Sequence, residues 1–439
     1  MGTVFGSLNA TQTNLTIATV VTDKDGVIVA CKIDAVQNKY AIGDTIEFSN
    51  LLTKKELGFD YHMAAYGQNQ DRNGDGIVKE WFEQAAAFEA WCVGKTVEEV
   101  ANMATQTQDD GYVIPGDDAL LSAGCTIQIT DFRDAVVKAC NDDQAATFET
   151  AGEIVLGLGV NSFNDGSNGD DFEATVKMNI EFAAVASVDG KIVAALNDAA
   201  QPQIKVEDGT TVTSTSVGKG EGVLKTKREL KEDYKMAAYG QNQDRNGDGK
   251  VLEWYQQSAA FSAHIVGLTA EEVYNLATQT QDDGYVIPAD EELLNAGCTI
   301  QITGIKAVVA EAAGYVASAE KEYTLGMGVV FGELTHAQTN ITIATVVLDE
   351  NGVIVACKID AVQNKYTIGE TVQFSNLLTK KELGFDYHMA AYGQNQDRNG
   401  DGIVKEWFEQ AAAFEAWCEH AFHAGHSGNE TDDRRRYDR

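Results

Sequence analysis

Basic residues are scarce in this chain: 33 Lys and Arg stand against 67 Asp and Glu in 439 residues, a formal charge of −34. So acidic a surface repels polyanions, which argues against nucleic acid and anionic membrane as partners. No apolar run is long enough to span a bilayer, and no signal peptide opens the chain. The seven cysteines include no C-x-x-C pair, so neither a zinc site nor a dithiol redox motif is written in them. What is present is an ordinary globular proportion of apolar residues, 44%, enough to build cores for about three domains at this length.

Internal repetition agrees with that number. Copy one spans 1–150, copy two 151–324 and copy three 325–418, followed by a tail, 419–439, rich in His and Arg and read as disordered. Every position from Phe48 to Cys92 is identical to Phe374 to Cys418, so copies one and three are recent duplicates and copy two is an older relative. Met1 to Gly6 aligns with Met327 to Gly332, so the chain opens at an internal position of a repeat, which leaves room for upstream sequence, a secretion signal included. Cys31 and Cys92 recur as Cys357 and Cys418, but copy two has Ala195 and Ile265 there, which fits buried free thiols and also a dispensable bridge. Cys125 and Cys298 read as core.

Each copy carries the hexapeptide Asp-Arg-Asn-Gly-Asp-Gly, at 71, 244 and 397. A hard divalent cation takes six to eight oxygens, so a tightly turning backbone must aim every second side chain inward, with glycine at the sharp bend. The pattern assigns Asp71, Asn73 and Asp75 with the carbonyl of Ile77 in copy one; Asp244, Asn246 and Asp248 with the carbonyl of Lys250 in copy two; and Asp397, Asn399 and Asp401 with the carbonyl of Ile403 in copy three. This resembles the first half of EF-hand and dockerin calcium loops, and the resemblance implies bound Ca2+. The twelfth position departs from that family: Phe82, Tyr255 and Phe408 replace its bidentate Glu. Glu83 and Glu409 come one residue late and become Gln256 in copy two, whereas Glu80, Glu253 and Glu406 occur in all three. The second set is therefore expected to close the shell, with waters completing it. Lacking the bidentate carboxylate, such a loop should bind near ~10⁻⁴ M, the range of extracellular modules. Tyr66 to Gln70 is poor helix material, so no entering helix is expected. Bound cations would also relieve the self-repulsion of the acidic chain.

Around the loop, Leu15 to Val21 and Val27 to Ile33 flank Asp23-Lys24-Asp25-Gly26, a hairpin signal. Thr45 to Phe48 reads as a short strand. Trp81, Ala85, Phe88 and Cys92 form a helical stripe ended by Gly94, and Thr96 with Glu99 form a capping box opening a helix to about Ala104. A turn at Asp109 to Gly111, a helix from Asp117 to Ala123, a strand from Thr126 to Ile129 and a helix from Phe132 to Cys140 complete the unit. The fold class is α+β: tandem domains, each an antiparallel sheet covered by helices.

His62 becomes Lys235 in copy two, and the Asp109-Asp110 pair precedes Gly111 as a turn would, so no catalytic set is indicated. Phrases such as Lys54-Lys55-Glu56-Leu57-Gly58 and Ala123-Gly124-Cys125-Thr126-Ile127 are similar to tandem-repeat secreted lipoproteins of anaerobic Gram-positive bacteria, and the hairpin loosely resembles FMN-binding domains, though the acceptor motif for covalent flavin is absent. Two function classes follow. The first is a calcium-stabilised repeat protein of the cell surface or secreted space, structural, adhesive or self-assembling. The alternative is a redox lipoprotein domain holding a flavin-like molecule. Copy three stops before its last helices, so self-association through its uncovered surface is expected.

Overall fold

The Asp23 to Gly26 turn reverses the chain as its residues demand. Asp23 Oδ1 accepts from the N–H groups of Asp25 and Val27 at 2.9 Å each, and Gly26 takes φ 78°, free to a residue without Cβ. The turn joins β2 (Gln12–Thr22) to β3 (Ile28–Ile42), and β1 (Gly2–Leu8) and β4 (Ile46–Asn50) complete an antiparallel sheet of order β1-β2-β3-β4. The computed structural model describes residues 1–65, 71–74, 76, 78–170, 172–217, 222–238, 244–315, 324–348, 354–391, 397, 398, 400 and 402–421.

Helices follow the sheet: α1 (Lys54–Leu57), α2 (Trp81–Cys92), α3 (Val97–Ala101), then a small hairpin of β5 (Thr105–Thr107) and β6 (Val113–Pro115), α4 (Asp118–Ser122) and α5 (Thr130–Cys140). The expected stripe is the core of α2, with Trp81, Ala85, Phe88 and Cys92 all buried against the sheet. The Thr96 capping box forms, but α3 ends at Ala101 rather than Ala104. Thr126 to Ile129 is a correction: it forms no strand. Ile127 and Ile129 are buried as the alternation implies, but the backbone N–H groups are taken up singly and not by a ladder: that of Thr126 by Gln84 Oε1 at 2.9 Å and that of Ile129 by the Val113 carbonyl of β6 at 2.9 Å. Strand β1 was not expected from its glycines. Gly2 is required because a Cβ there would stand 2.2 Å from the Ala135 carbonyl of α5.

Copy two builds the same helical order on a larger sheet. Its strands are β7 (Val155–Asn164), β8 (Asn168–Gly169), β9 (Glu173–Val188), β10 (Lys191–Ala200), β11 (Pro202–Glu207) and β12 (Thr211–Val217). Helices α6 (Lys227–Leu230), α7 (Trp254–His264) and α8 (Ala270–Tyr274) come next, then β13 (Thr278–Thr280), β14 (Val286–Pro288), α9 (Glu291–Asn295) and α10 (Thr303–Ala312). Gly157 and Gly159 do for α10 what Gly2 does for α5: a Cβ would meet the carbonyls of Ala312 and Val308 at 1.7 and 2.1 Å.

Strand periodicity gives the first sheet two buried faces. Ala18, Cys31, Ile33 and Ala35 face the helices, while Leu15, Ile17 and Val36 face away from them and pack on Val160, Ile180 and Phe182 of copy two. Asn38 Nδ2 donates to Ser162 Oγ at 2.8 Å across this junction, and Arg228 pairs with Asp142 at 3.2 Å. Copies one and two therefore share a core, and residues Met1–Ala317 form one compact unit. Ser318–Arg439 is a second unit, in which β15 (Thr324–Leu334), β16 (Gln338–Leu348), β17 (Ile354–Ile368) and β18 (Val372–Asn376) form an antiparallel sheet with α11 (Lys380–Leu383) and α12 (Trp407–Ala421). Helix α12 continues past Cys418 to Ala421, so the segment from 419 begins helical; residues 422–439 lie outside those described. All seven cysteines are free thiols. A hydrogen bond with Cys92, and then burial, raise the pKa of Cys31.

Candidate functional site

The loops after α1 and α6 are built by their own side chains. In copy one Asp71 Oδ2 accepts from Gly76 N–H at 3.1 Å, and in copy two Asp244 Oδ2 accepts from Gly249 N–H at 3.1 Å. Both glycines have φ 80°, and Gly74 and Gly247, one residue after the Asn, turn the same way at 74°. One carboxylate oxygen thus closes the turn. The other, Oδ1 of Asp71 and of Asp244, is buried with no hydrogen-bond partner among the described residues. Asn246 donates its Nδ2 to the Leu294 carbonyl at 3.1 Å and leaves its buried Oδ1 equally without a partner. Asn73 Nδ2 makes the corresponding bond to Leu121 O at 3.3 Å. Asp248 Oδ1 accepts from Lys250 N–H at 2.8 Å. Asp75, Ile77, Asn399, Asp401 and the Tyr66 to Gln70 segment lie outside the described residues.

Glu80, Glu253 and Glu406 each accept two backbone N–H bonds. Glu80 Oε2 accepts from Met63 N–H at 2.7 Å and Oε1 from Ala64 N–H at 3.0 Å. Glu253 repeats this with Met236 and Ala237, and Glu406 with Met389 and Ala390. The residue ties the chain before the loop to the start of the helix after it, which accounts for its recurrence in every copy without reference to a cation. Glu83 Oε2 accepts from the N–H of Glu80, and Gln256 Oε1 does so for Glu253, both at 2.9 Å. An amide oxygen serves there as well as a carboxylate, so Gln is accommodated in copy two. Among the described residues, no three His, Cys, Asp or Glu side chains are grouped to hold a metal ion. The oxygens on offer are therefore Asp, Asn and backbone carbonyl.

A clamp that the sequence pattern did not reveal holds the loop from the other side. Arg72 Nη1 pairs with Asp110 at 2.9 Å and its guanidinium stacks on the Tyr112 ring at 3.7 Å; Arg245, Asp283 and Tyr285 repeat it at 2.9 and 3.7 Å. A hydrogen bond from Tyr112 N–H and then the Arg72 bond hold Asp110 below the ordinary carboxylate range. The Asp-Asp-Gly-Tyr turn of β5 and β6 is thus an anchor for the loop. Copy three has Arg398 but no counterpart of this hairpin before the tail, and its Asp397 Oδ1 accepts from Gly400 N–H at 2.8 Å.

Beneath the first turn of α1 and of α6 lies a buried carboxyl. Asp34 accepts from Ala35 and Lys55 N–H, and Asp198 from Ala199 and Arg228 N–H. Burial raises each pKa to about 6, against the pull of those bonds and of Lys55 and Arg228. A carboxyl whose folded pKa exceeds its unfolded value near ~3.9 favours the folded state at low pH and loses that advantage as pH rises through about 6. Each can remove up to ~3 kcal/mol by neutral pH. In chelator-containing buffer, stability should therefore fall between about pH 4 and 6, and Asp34→Asn with Asp198→Asn should flatten the profile in a denaturant titration.

A cavity of about 210 Å³ between copies one and two is lined by Thr3, Lys138, Asp142, Asp198 and Arg228, among others. It is smaller than the ~300–1,000 Å³ of ordinary ligand pockets and is crossed by the Asp142 to Arg228 ion pair. Among the described residues no helix is long and apolar enough to cross a membrane. No protein-family model, no curated protein and no solved structure matches this chain.

Proposed function

We propose that this is a calcium-binding, calcium-stabilised repeat protein of the cell surface or secreted space, with a structural, adhesive or self-assembling role. The observation that carries the reading is the set of buried oxygens without partners among the described residues, Asp71 Oδ1, Asp244 Oδ1 and Asn246 Oδ1, at the first and third positions of the loop pattern. A buried carboxylate oxygen with no donor costs several kcal/mol unless a cation or water meets it, and these face a turn whose glycines and anchoring arginine are already in place. The cation would be held in copy two by Asp244, Asn246, Asp248 and the carbonyl of Lys250, with water completing the shell and Glu253 bracing the loop from outside. An all-oxygen set suits Ca2+.

Isothermal titration of calcium into chelator-stripped full-length protein tests this. Two similar sites are expected, from the anchored loops of copies one and two, with copy three weaker because Arg398 has no hairpin to grip. Asp244→Asn should remove one of the two. Absence of saturable calcium binding at millimolar concentration would refute the reading.

A further inference from the structure

We propose that the sheet face of copy three turned away from α12 is a dimer interface, and that its occupant is the same face of a second copy of this chain. This rests on the self-assembly part of the function proposed above and not on calcium. In unit Met1–Ala317 the corresponding face is covered: Leu15, Ile17 and Val36 have no exposed surface, Met1 keeps 8%, and Phe5 and Leu8, the counterparts of Phe331 and Leu334, are half-buried. In unit Ser318–Arg439 the face stands open. Leu325, Met327 and Phe331 alternate along β15 and are 76%, 71% and 65% exposed, and Leu334 beyond them is 63% exposed. The strand carries no charged residue from Thr324 to Gly332, on a chain of net charge −34. A contiguous apolar face of this kind on an otherwise acidic surface marks an association site.

The occupant follows from what covers the equivalent face elsewhere in the molecule. Leu15, Ile17 and Val36 are met by a second sheet of the same lineage, through Val160, Ile180 and Phe182. Copies one and two already cover each other, so the sheet of this kind that a second molecule of this chain can offer is its own copy three. Two identical faces meet about a two-fold axis, the isologous arrangement commonest among dimers. The opposite face of the copy-three sheet does not offer the same match. A Cβ on Gly328 would meet nothing within 4 Å, whereas Gly2 and Gly159 lie under helices, and those helices, α5 and α10, are engaged in their own copies.

Sedimentation velocity on the full chain over a range of micromolar concentrations, in calcium and again in chelator, decides the matter. A monomer–dimer equilibrium is expected in both buffers, strengthened by salt because screening lowers the repulsion between two acidic chains. Phe331→Asp and, separately, Met327→Glu should each weaken dimerisation at least tenfold. Both side chains are exposed, so the fold is not at stake. Val330→Asp, on the helix-side face of the same strand, should leave the dimer intact. A monomer at about 100 µM, association unchanged in Phe331→Asp, or a dimer dissolved by Val330→Asp alone would each overturn the proposal. Loss of calcium binding with the dimer preserved would count against the loop reading alone.

Discussion

Protein in about 10 mM calcium should melt some 5–10 °C higher than the same protein in chelator. A ligand that binds the folded chain and not the unfolded one adds RT ln(1 + [L]/Kd), which is ~2.7 kcal/mol at a hundredfold excess over Kd. A loop of the ~10⁻⁴ M class is in that excess at ~10 mM. The unit Met1–Ala317 holds two anchored loops, so its gain approaches ~5 kcal/mol, and a domain of this size moves by roughly 2 °C per kcal/mol. Magnesium should substitute poorly, because it demands a tighter octahedral shell and sheds water reluctantly. The paired variant Asp71→Asn, Asp244→Asn keeps an acceptor for Gly76 and Gly249 N–H but loses the buried charges. It should show no calcium-dependent rise and should melt no lower than the natural protein in chelator. Equal melting of the natural protein in both buffers would sink the metal assignment.

What could be read along the chain is what local chemistry decides. The Asp23 to Gly26 turn, the Trp81 to Cys92 stripe and the Thr96 capping box all follow from residues a few positions apart, and each appears in the structure. The α+β class followed from the order of those signals. Tertiary partners account for the rest. Gly2, Gly157 and Gly159 weaken a strand pattern, yet they are needed where helix carbonyls approach within 2.2 Å of a would-be Cβ. Thr126 to Ile129 has the alternation of a strand, but the N–H of Thr126 is satisfied by Gln84, 42 residues away in sequence, and that of Ile129 by the carbonyl of Val113. In the loop, the alternation of Asp71 and Asn73 is visible over three residues, whereas the Asp110 to Arg72 contact spans 38 residues and left no local trace. Recurrence alone does not assign a role to Glu80. A residue kept in three copies can be kept by a ligand or by two backbone N–H groups, and sequence does not separate those causes.

Glu80→Gln should destabilise the protein by about 2–4 kcal/mol, equally in calcium and in chelator. The carboxylate gives one oxygen to Met63 N–H at 2.7 Å and the other to Ala64 N–H at 3.0 Å, both charge-assisted. Gln brings one oxygen and one NH2 group, so whichever way the amide turns, a donor faces a donor and one N–H near the buried Met63 goes unmatched. Glu83→Gln should be close to neutral, because Gln256 already fills that role in copy two at the same 2.9 Å. A cation-ligating Glu80 would behave differently: the substitution would shrink the calcium-dependent increment in melting temperature while leaving the chelator melt nearly unchanged. Denaturant titrations of both variants, with and without calcium, separate a brace from a ligand, since a brace lowers stability by the same amount in each buffer and a ligand lowers it only where the ion is bound.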